Sequence, residues 1–350
     1  MRRKIIYGLL IALLLLVAYT GYLFFASNTG FSEESKFLYI RTAKATYSDV
    51  LQTLKDSQFV RNENAFKFLA NRMKLEEKIK AGRYEIKKGM SLFDIARIIR
   101  NGKQSSVNLV ITKLRTKENL AAFIAKRLET DSSSLIRFLN NNDSLSAYQL
   151  DTNTVISGIF PNTYQLFWNS APTVIFKKLF SAKEVVWTDN RKQLATDHGL
   201  TPTDAYIIAS IVEEETRTTP EKATMASVYI NRFKKGMRLQ ADPTIKFALR
   251  EFSLKRIYEK HLAVESPYNT YRNAGLPPGP ICTPSLETLD AVLNAPSTNY
   301  LYFVAKSDFS GSHVFSETYE EHLKNAREFQ QALDREQKIR AAKEDTGAQQ

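Results

Sequence analysis

The 350 residues of the chain exceed the length of one typical domain, and a hydrophobic content of 43% is enough to build more than one core. The one cysteine, Cys282, excludes an internal disulfide, and we expect it to be a small core or turn residue. The net charge is +12, but lysine and arginine are spread along the chain without a dense block, which argues against a dedicated nucleic-acid site.

The N-terminus has the pattern of a membrane-spanning helix. Three cations at positions 2–4 precede an uncharged, mostly apolar run over residues 5–26, which as a helix would span about 33 Å, against a bilayer core of roughly 30 Å. The first charges after the run are Glu33 and Glu34, so the cations predict a cytoplasmic N-terminus and a chain that lies beyond the membrane. A cleaved signal peptide is the alternative, but the run is long and its final Phe-Phe-Ala makes a poor cleavage site. Nucleic acid is not a partner across a membrane, whereas an anionic membrane surface or a cell-wall polymer would attract this basic chain.

Residues 27–112 alternate between short strands and helices. A strand with Tyr84 and Ile86 turns at Gly89, and Ser91 can cap a helix that runs to about residue 100. This strand, turn and helix resemble the LysM-type module that recognises N-acetylglucosamine polymers; a small α+β spacer without a sugar site is the alternative. The other elements predicted here are strands at 37–42 and 107–112 and helices at 48–55 and 62–75.

The rest of the chain is predicted to be mainly helical. Residues 113–154 read as a helical linker region, with helices at 116–128 and 132–139 and a polar loop at 140–154 that marks a domain boundary. Residues 155–335 form a second predicted domain, and residues 336–350 a charged flexible tail. The elements predicted from residue 155 onward are helices at 173–188, 205–215 and 219–236, a turn at 241–244, strands at 300–305 and 314–316, and a helix at 319–343.

The helix predicted from residue 205, which Thr203 and Asp204 can cap, ends in the three carboxylates Glu213, Glu214 and Glu215. On a helical wheel Glu215 falls inside the buried apolar stripe, while Glu213 and Glu214 lie at its two edges. A carboxylate that faces the core is costly when ionised, so its pKa should rise, which suits a general acid near neutral pH. The wheel does not choose between Glu213 and Glu215, and a solvated turn is the alternative.

The sequence lacks the motifs of metal-dependent, serine-nucleophile and phosphate-binding sites. The four histidines show no metal-ligand spacing, and the chain has no Gly-x-Ser-x-Gly elbow and no glycine-rich phosphate loop. We therefore expect no metal and no cofactor. Carboxylate acid–base chemistry on a substrate outside the membrane remains, and it favours the cleavage of a glycosidic bond.

Six sequence blocks follow one another between residues 209 and 305. They are Ala-Ser-Ile-Val-Glu-Glu-Glu-Thr at 209–216, Ala-Ser-Val-Tyr-Ile-Asn-Arg at 226–232, Gly-Met-Arg-Leu-Gln-Ala-Asp-Pro-Thr at 236–244, Pro-Tyr-Asn-Thr-Tyr at 267–271, Gly-Leu-Pro-Pro-Gly-Pro-Ile at 275–281 and Tyr-Leu-Tyr-Phe-Val-Ala at 300–305. Their order and spacing resemble the MltG/YceG-like endolytic murein transglycosylases over about residues 160–322. At 157–158 and 161–164 this chain has Ser-Gly and Pro-Asn-Thr-Tyr, where the family usually has Glu-Gly and Pro-Asp-Thr-Tyr.

The resemblance implies roles for individual residues. Glu213 would be the catalytic acid, and Glu215 a carboxylate that supports it. Glu213 would protonate the glycosidic oxygen between N-acetylmuramic acid and N-acetylglucosamine, and would then take the proton from the substrate's C6 hydroxyl as that oxygen closes a 1,6-anhydro ring. The glycan groove would contain Arg238, Gln240, Asp242, Tyr268, Asn269 and Tyr271; Asp242 could equally hold a turn.

The expected fold class is α+β, with an N-terminal transmembrane helix, a small LysM-like α+β domain and a mainly helical lytic transglycosylase domain with a short sheet. The expected function is that of a single-pass protein of the cell (inner) membrane that cuts nascent peptidoglycan strands internally. Its partners would be the glycan strands, the membrane and, by the resemblance, cell-wall synthases. A muramidase that uses water and a non-catalytic cell-wall-binding scaffold are the alternatives.

Overall fold

A computed structural model describes residues 2–216 and 218–347, and in these residues the chain has fifteen α-helices and six short strands. The strands pair as three two-stranded sheets, β1 with β2, β3 with β4 and β5 with β6. The strands are β1 (Ser35–Ile40), β2 (Gly82–Lys87), β3 (Ser106–Ile111), β4 (Asn162–Phe167), β5 (Tyr302–Ala305) and β6 (His313–Ser316). The helices are α1 (Arg2–Phe25), α2 (Tyr47–Asp56), α3 (Glu63–Arg72), α4 (Leu92–Asn101), α5 (Lys117–Ala125), α6 (Ser132–Leu139), α7 (Asn142–Ser146), α8 (Pro172–Val186), α9 (Asp189–Asp197), α10 (Pro202–Glu215), α11 (Lys222–Lys234), α12 (Asp242–Leu249), α13 (Glu259–Leu262), α14 (Leu286–Leu293) and α15 (Tyr319–Gly347).

The chain forms two units. Unit 1 contains Met1–Leu109, Phe123–Ser132 and Gln165–Ile175, and unit 2 contains Val110–Ala122, Ser133–Tyr164 and Phe176–Gln350. The mixed, mainly helical α+β class expected from the sequence is confirmed. The division into the domains 27–112, 113–154 and 155–335 stays a prediction.

Helix α1 is the one helix among the described residues that is long and apolar enough to cross a membrane. Its last turn packs against other residues of unit 1: the rings of Phe24 and Phe68 stack 6.0 Å apart, and those of Phe25 and Phe93 lie 5.1 Å apart. The segment directly after α1 pairs with the start of α4, because Asn28 donates its backbone N–H to the carbonyl of Met90 over 3.1 Å. The helix is therefore joined to the rest of unit 1 by side-chain packing as well as by the backbone.

The body of unit 1 is the antiparallel pair of β1 and β2 covered by helices. The register runs from Ser35 opposite Lys87 to Ile40 opposite Gly82. Ser91 accepts from the backbone of Asp94 and caps α4, as the sequence predicts. The core contains the fully buried Leu38, Phe66, Tyr84, Ile86, Ile95 and Ile99. The predicted elements are thus present, whereas the likeness to a LysM module stays a prediction.

In unit 2, α10 packs against α11, α12 and α14. Thr201 caps α10 in a reciprocal capping box with Asp204, and Pro202 is the first helical residue. The cap predicted at Thr203 is therefore wrong by two residues, because proline fits the first turn where its missing N–H is not needed, whereas the predicted Asp204 does take part in the cap. Every side chain from Ala205 to Val212 is buried, so α10 is the centre of this core.

Unit 2 also contains helices where the sequence predicts none. The predicted turn at 241–244 is the beginning of α12, with Pro243 in the first helical turn, a position that proline tolerates well. Helix α14 was not predicted, and Ser285 caps its N-terminus by accepting from the backbone of Thr288. The hairpin of β5 and β6 and the long α15 match their predictions.

Candidate active site

The three glutamates that end α10 lie in three different surroundings, because successive residues on a helix point about 100° apart. Glu213 faces the N-terminus of α14, Glu214 faces two basic residues of the segment before α5, and Glu215 lies near Asp242 at the start of α12. Their contacts decide which carboxylate can carry a proton at neutral pH.

Several donors surround one carboxylate oxygen of Glu213. Its Oε2 accepts from the hydroxyl of Ser285 over 3.0 Å and from the hydroxyl of Thr288, and it lies 3.5 Å from the ammonium of Lys222. Ser285 is the cap of α14, so the positive end of that helix also favours an anion here. The Lys222 side chain is only 7% exposed and donates to Thr288 over 2.7 Å. Glu213 and Lys222 are therefore a buried ion pair that ties α10, α11 and α14 together.

This environment fixes the charge of Glu213. Burial acts to raise the pKa of Glu213, but the hydroxyl of Thr288, the charge of Lys222 and the two donors of Ser285 together lower that pKa below its usual value. Glu213 is thus ionised at neutral pH. The raised pKa expected for a core-facing carboxylate is wrong for Glu213, because its partners lie on helices far along the chain that a helical wheel cannot include.

Glu214 is also an ion-pair residue. It lies 2.9 Å from the guanidinium of Arg115 and 3.0 Å from the ammonium of Lys113. The same segment is bonded to the loop before α14. The backbone N–H of Thr283 donates to the carbonyl of Leu114 over 2.7 Å, and the backbone N–H of Leu114 donates to the hydroxyl of Thr283 over 2.9 Å. Glu214 thereby joins the end of α10 to residues 113–115.

Glu215 differs from both neighbours because, among residues 2–216 and 218–347, no lysine, arginine or histidine forms an ion pair with its carboxylate. Its Oε2 is buried and, among the residues that the structure describes, accepts no hydrogen bond; the buried hydroxyl of Tyr229 is likewise unpaired. Burial and the negative charge of Asp242 raise the pKa of Glu215 to about 7, although the nearby Tyr229 hydroxyl and the charge of Lys246 act in the opposite direction. The expected rise in pKa is therefore confirmed for Glu215. This carboxyl therefore keeps its proton to a higher pH than an ordinary glutamate.

Next to Glu215, the segment from Gln240 to Asp242 is held against Thr270 and Tyr271. The hydroxyl of Tyr271 donates to Asp242 over 2.6 Å, and the backbone N–H of Gln240 donates to the carbonyl of Thr270 over 3.1 Å. Burial raises the pKa of Tyr271, and its hydrogen bond to Asp242 raises it further, so the phenol keeps its proton and remains a donor. Gln240 has a φ of 49°, a left-handed conformation that side chains rarely adopt and that occurs often at functional sites.

Comparison with known proteins identifies the family of this chain. The model of the YceG-like family matches residues 39–328, which is more than four-fifths of the chain. This chain belongs to the YceG-like family. It is 30% identical over 302 residues to a Bacillus subtilis protein named endolytic murein transglycosylase, covering 80% of this chain and 81% of that protein. A Streptococcus pneumoniae protein of the same name is 27% identical over 311 residues, covering 79% of this chain and 55% of that relative. The crystal structure of a YceG-like protein from Listeria monocytogenes has a TM-score of 0.55 and 28% identity, covering 84% of this chain and 99% of the other.

The structure of this YceG-like protein brings together only some of the residues predicted for a groove. Gln240, Asp242 and Tyr271 lie in the group around Glu215 described above. Arg238 is exposed two residues before Gln240, where its backbone forms a bridge with Gly275. These four residues remain candidates for contact with a ligand.

The other two predicted groove residues have structural contacts. Asn269 is fully buried, and its amide donates to the carbonyls of Leu262 over 2.9 Å and Val264 over 2.8 Å while its oxygen accepts from the backbone of Tyr271. The ring of Tyr268 packs 4.6 Å from that of Phe247. Asn269 therefore shapes the loop that carries Tyr271 and cannot itself reach a ligand.

Sequence reasoning did not assign a role to Arg232, which is buried beside the group around Glu215. Its guanidinium donates to the carbonyls of Leu301 over 2.6 Å and Leu239 over 2.7 Å, and lies 3.4 Å from the side-chain oxygen of Gln240. A cation on the apolar face of α11, three residues after Tyr229, is the signal in the sequence that could have identified it.

Proposed function

We propose that this YceG-like protein is a lytic transglycosylase that cuts peptidoglycan strands internally. The observation that carries the proposal is the carboxyl of Glu215, which has a pKa of about 7 and lies beside Asp242 with its bonded Tyr271. A glycosidic oxygen is a weak base, so its departure needs an acid that is still protonated near neutral pH. The endolytic murein transglycosylases to which the chain is similar support peptidoglycan as the substrate.

Glu215, and not Glu213, is the general acid in this proposal. Glu213 is held as an anion by Lys222 and by the hydroxyls at the start of α14, so it has no proton to give at neutral pH. Glu215 has its proton because burial and Asp242 disfavour the charge. The roles that the family resemblance suggested for the two residues are therefore exchanged: Glu213 fixes the end of α10, and Glu215 acts on the substrate.

The reaction needs one carboxyl that acts twice. Glu215 donates its proton to the oxygen that links N-acetylmuramic acid to N-acetylglucosamine, and the bond between that oxygen and C1 of N-acetylmuramic acid breaks. The C6 hydroxyl oxygen of the same sugar bonds to C1, and its proton passes to the Glu215 carboxylate. The products are a 1,6-anhydro end, a free hydroxyl on N-acetylglucosamine and a protonated Glu215, without consumption of water. Acid–base catalysis of this kind contributes about 10²–10⁴-fold to the rate.

In the same proposal α1 is a membrane anchor that leaves unit 2 on the outer side of the cell (inner) membrane. Its length supports this, as do the three cations that precede the apolar run. An anchored enzyme would cut glycan as it emerges from synthesis, so cell-wall synthases are the partners we expect. Binding of N-acetylglucosamine polymers by residues 27–112 stays a prediction.

The experiment is digestion of purified peptidoglycan by the full chain in detergent, with mass spectrometry of the new ends. Wild-type protein should produce 1,6-anhydro ends, and Glu215→Gln should produce almost none. Reducing ends in their place would show a muramidase that uses water. Binding of glycan without any cutting would show a scaffold, and either result would refute the proposal.

A further inference from the structure

Three aromatic side chains form a cluster where β5 meets α15. The ring of Tyr302 lies 5.3 Å from that of His322 in a stacked arrangement, with 23° between the planes, and 5.7 Å from the ring of Tyr319. Tyr319 is the first residue of α15 and is 59% exposed. The cluster therefore presents an open aromatic surface on unit 2 rather than a part of its core.

Arg232 connects this cluster to the group around Glu215. Its guanidinium lies 5.3 Å from the centre of the Tyr302 ring and 3.4 Å from the side-chain oxygen of Gln240, which is two residues before Asp242. The contacts from Gln240 through Arg232 to Tyr302 are direct, so the aromatic surface begins next to the residues that surround the proposed acid.

His322, which is half-buried, stacks on Tyr302 within this cluster. Its Nδ1 is buried and has no hydrogen-bond partner among the described residues. Burial lowers the pKa of His322, and the nearby charge of Arg232 lowers it further, so the neutral imidazole is favoured. A neutral aromatic surface with a few polar atoms suits an uncharged ligand with alternating apolar and hydroxyl faces.

We propose that Tyr302, Tyr319 and His322 form a subsite that binds one N-acetylhexosamine ring of the glycan strand by stacking, beside the site of cleavage. The proposal rests on the proposed function, and it adds a binding surface to the residues around Glu215. The C–H face of a pyranose ring packs on the exposed ring of Tyr319, where the aromatic face carries partial negative charge. Ordered aromatic side chains lose little conformational freedom on binding, which is why they are frequent at binding surfaces.

The test compares Tyr319→Ala with Tyr258→Ala in the full chain. Tyr258 is a matched control, because it is 56% exposed and lies in the same unit. In the part of the chain that the structure describes, its ring contacts His261 and Arg256 and none of the three residues of the cluster. Binding is measured with peptide-free glycan strands and protein that also carries Glu215→Gln, so that no cutting interferes. Tyr319→Ala should weaken binding about tenfold, and in the cutting assay it should raise KM with little change in kcat. Tyr319→Trp should retain binding, whereas Tyr258→Ala should match the parent protein.

The outcomes separate this inference from the proposed function. Unchanged binding and unchanged KM in Tyr319→Ala, with normal cutting, would overturn the subsite and leave the lytic transglycosylase in place. Weakened binding in Tyr319→Ala, together with a wild-type protein that makes no anhydro ends, would support the subsite and refute the lytic chemistry. Equal losses in Tyr319→Ala and Tyr258→Ala would show a general effect on folding and would overturn the subsite, and a melting curve of each variant checks this.

Discussion

Replacing Glu215 and Glu213 by glutamine in separate variants should give opposite effects on stability and activity. A pKa raised from 4.5 to about 7 means that ionised Glu215 costs the folded state about 3 kcal/mol. The cost is absent below pH 4.5, where Glu215 is protonated in both states. It grows as the unfolded chain ionises and reaches its full size above pH 7. Glu215→Gln should therefore be as stable as wild type at pH 4 and about 3 kcal/mol more stable at pH 8.

Glu213→Gln should lower the stability of the folded protein. It leaves Lys222, whose side chain is only 7% exposed, with the exposed carboxylate of Glu287 at 3.9 Å in place of the closer one, and removal of one partner of a buried ion pair costs up to about 3–5 kcal/mol. Since the pKa of Glu213 is lowered on folding, its contribution is present above its unfolded pKa and is lost as pH falls through the lower folded value. The difference between wild type and Glu213→Gln should therefore shrink in acid.

The assay is a set of melting curves at pH 4, 6 and 8, together with the rate of anhydro-end formation per folded molecule. Glu215→Gln should lose about 10²–10⁴-fold in rate while its melting temperature at pH 8 rises. Glu213→Gln should melt lower and keep most of its rate, and Glu214→Gln provides the matched change at the neighbouring position. An active Glu215→Gln would refute Glu215 as the acid, and an inactive Glu213→Gln that melts as wild type would point to Glu213 as the acid.

Three further changes test the surroundings of Glu215. Tyr271→Phe removes the donor to Asp242, so we expect a loss of about 1.5–3 kcal/mol in the free energy of unfolding and a lower rate of cutting, measured by chemical denaturation and by digestion. Asn269→Ala removes the donor to the half-buried carbonyls of Leu262 and Val264, and should destabilise the protein by on the order of 3 kcal/mol while molecules that remain folded bind glycan. In Gly279→Ala the added Cβ would lie 2.1 Å from the carbonyl oxygen of Asn153, so the melting temperature should fall; an unchanged melt would show that this loop yields freely.

The periodicity of α10 explains how much of the site could be predicted. Because apolar side chains recur every three to four residues, the sequence alone places Glu215 inside the buried stripe and predicts the rise in its pKa. The same pattern cannot show Lys222, Ser285 or Thr288, which reach Glu213 only after α11 and α14 pack against α10. The lowered pKa of Glu213 could therefore not be predicted from the sequence of its own helix.

Other differences have the same physical origin. The residues at 241–244 suit a turn and equally suit the first turn of a helix, and contacts in unit 2 select the helix α12. Asn269 has the side chain of a sugar-binding residue, but its position opposite two free carbonyls makes it a structural residue. Polar type and motif position predict which residues matter, whereas the hydrogen bonds that a side chain makes in the folded chain decide whether it has atoms left for a ligand.

The contacts at the end of α1 have a mechanical consequence. Phe24 and Phe25 pack on Phe68 and Phe93, and the residues that follow pair with the start of α4, so α1 is held to the rest of unit 1 by packing and not by the chain alone. If α1 is the membrane anchor proposed above, a thinner bilayer would tilt the helix, and the residues packed on its last turn would tilt with it. The direction in which unit 1 points would then depend on the thickness of the lipid around it.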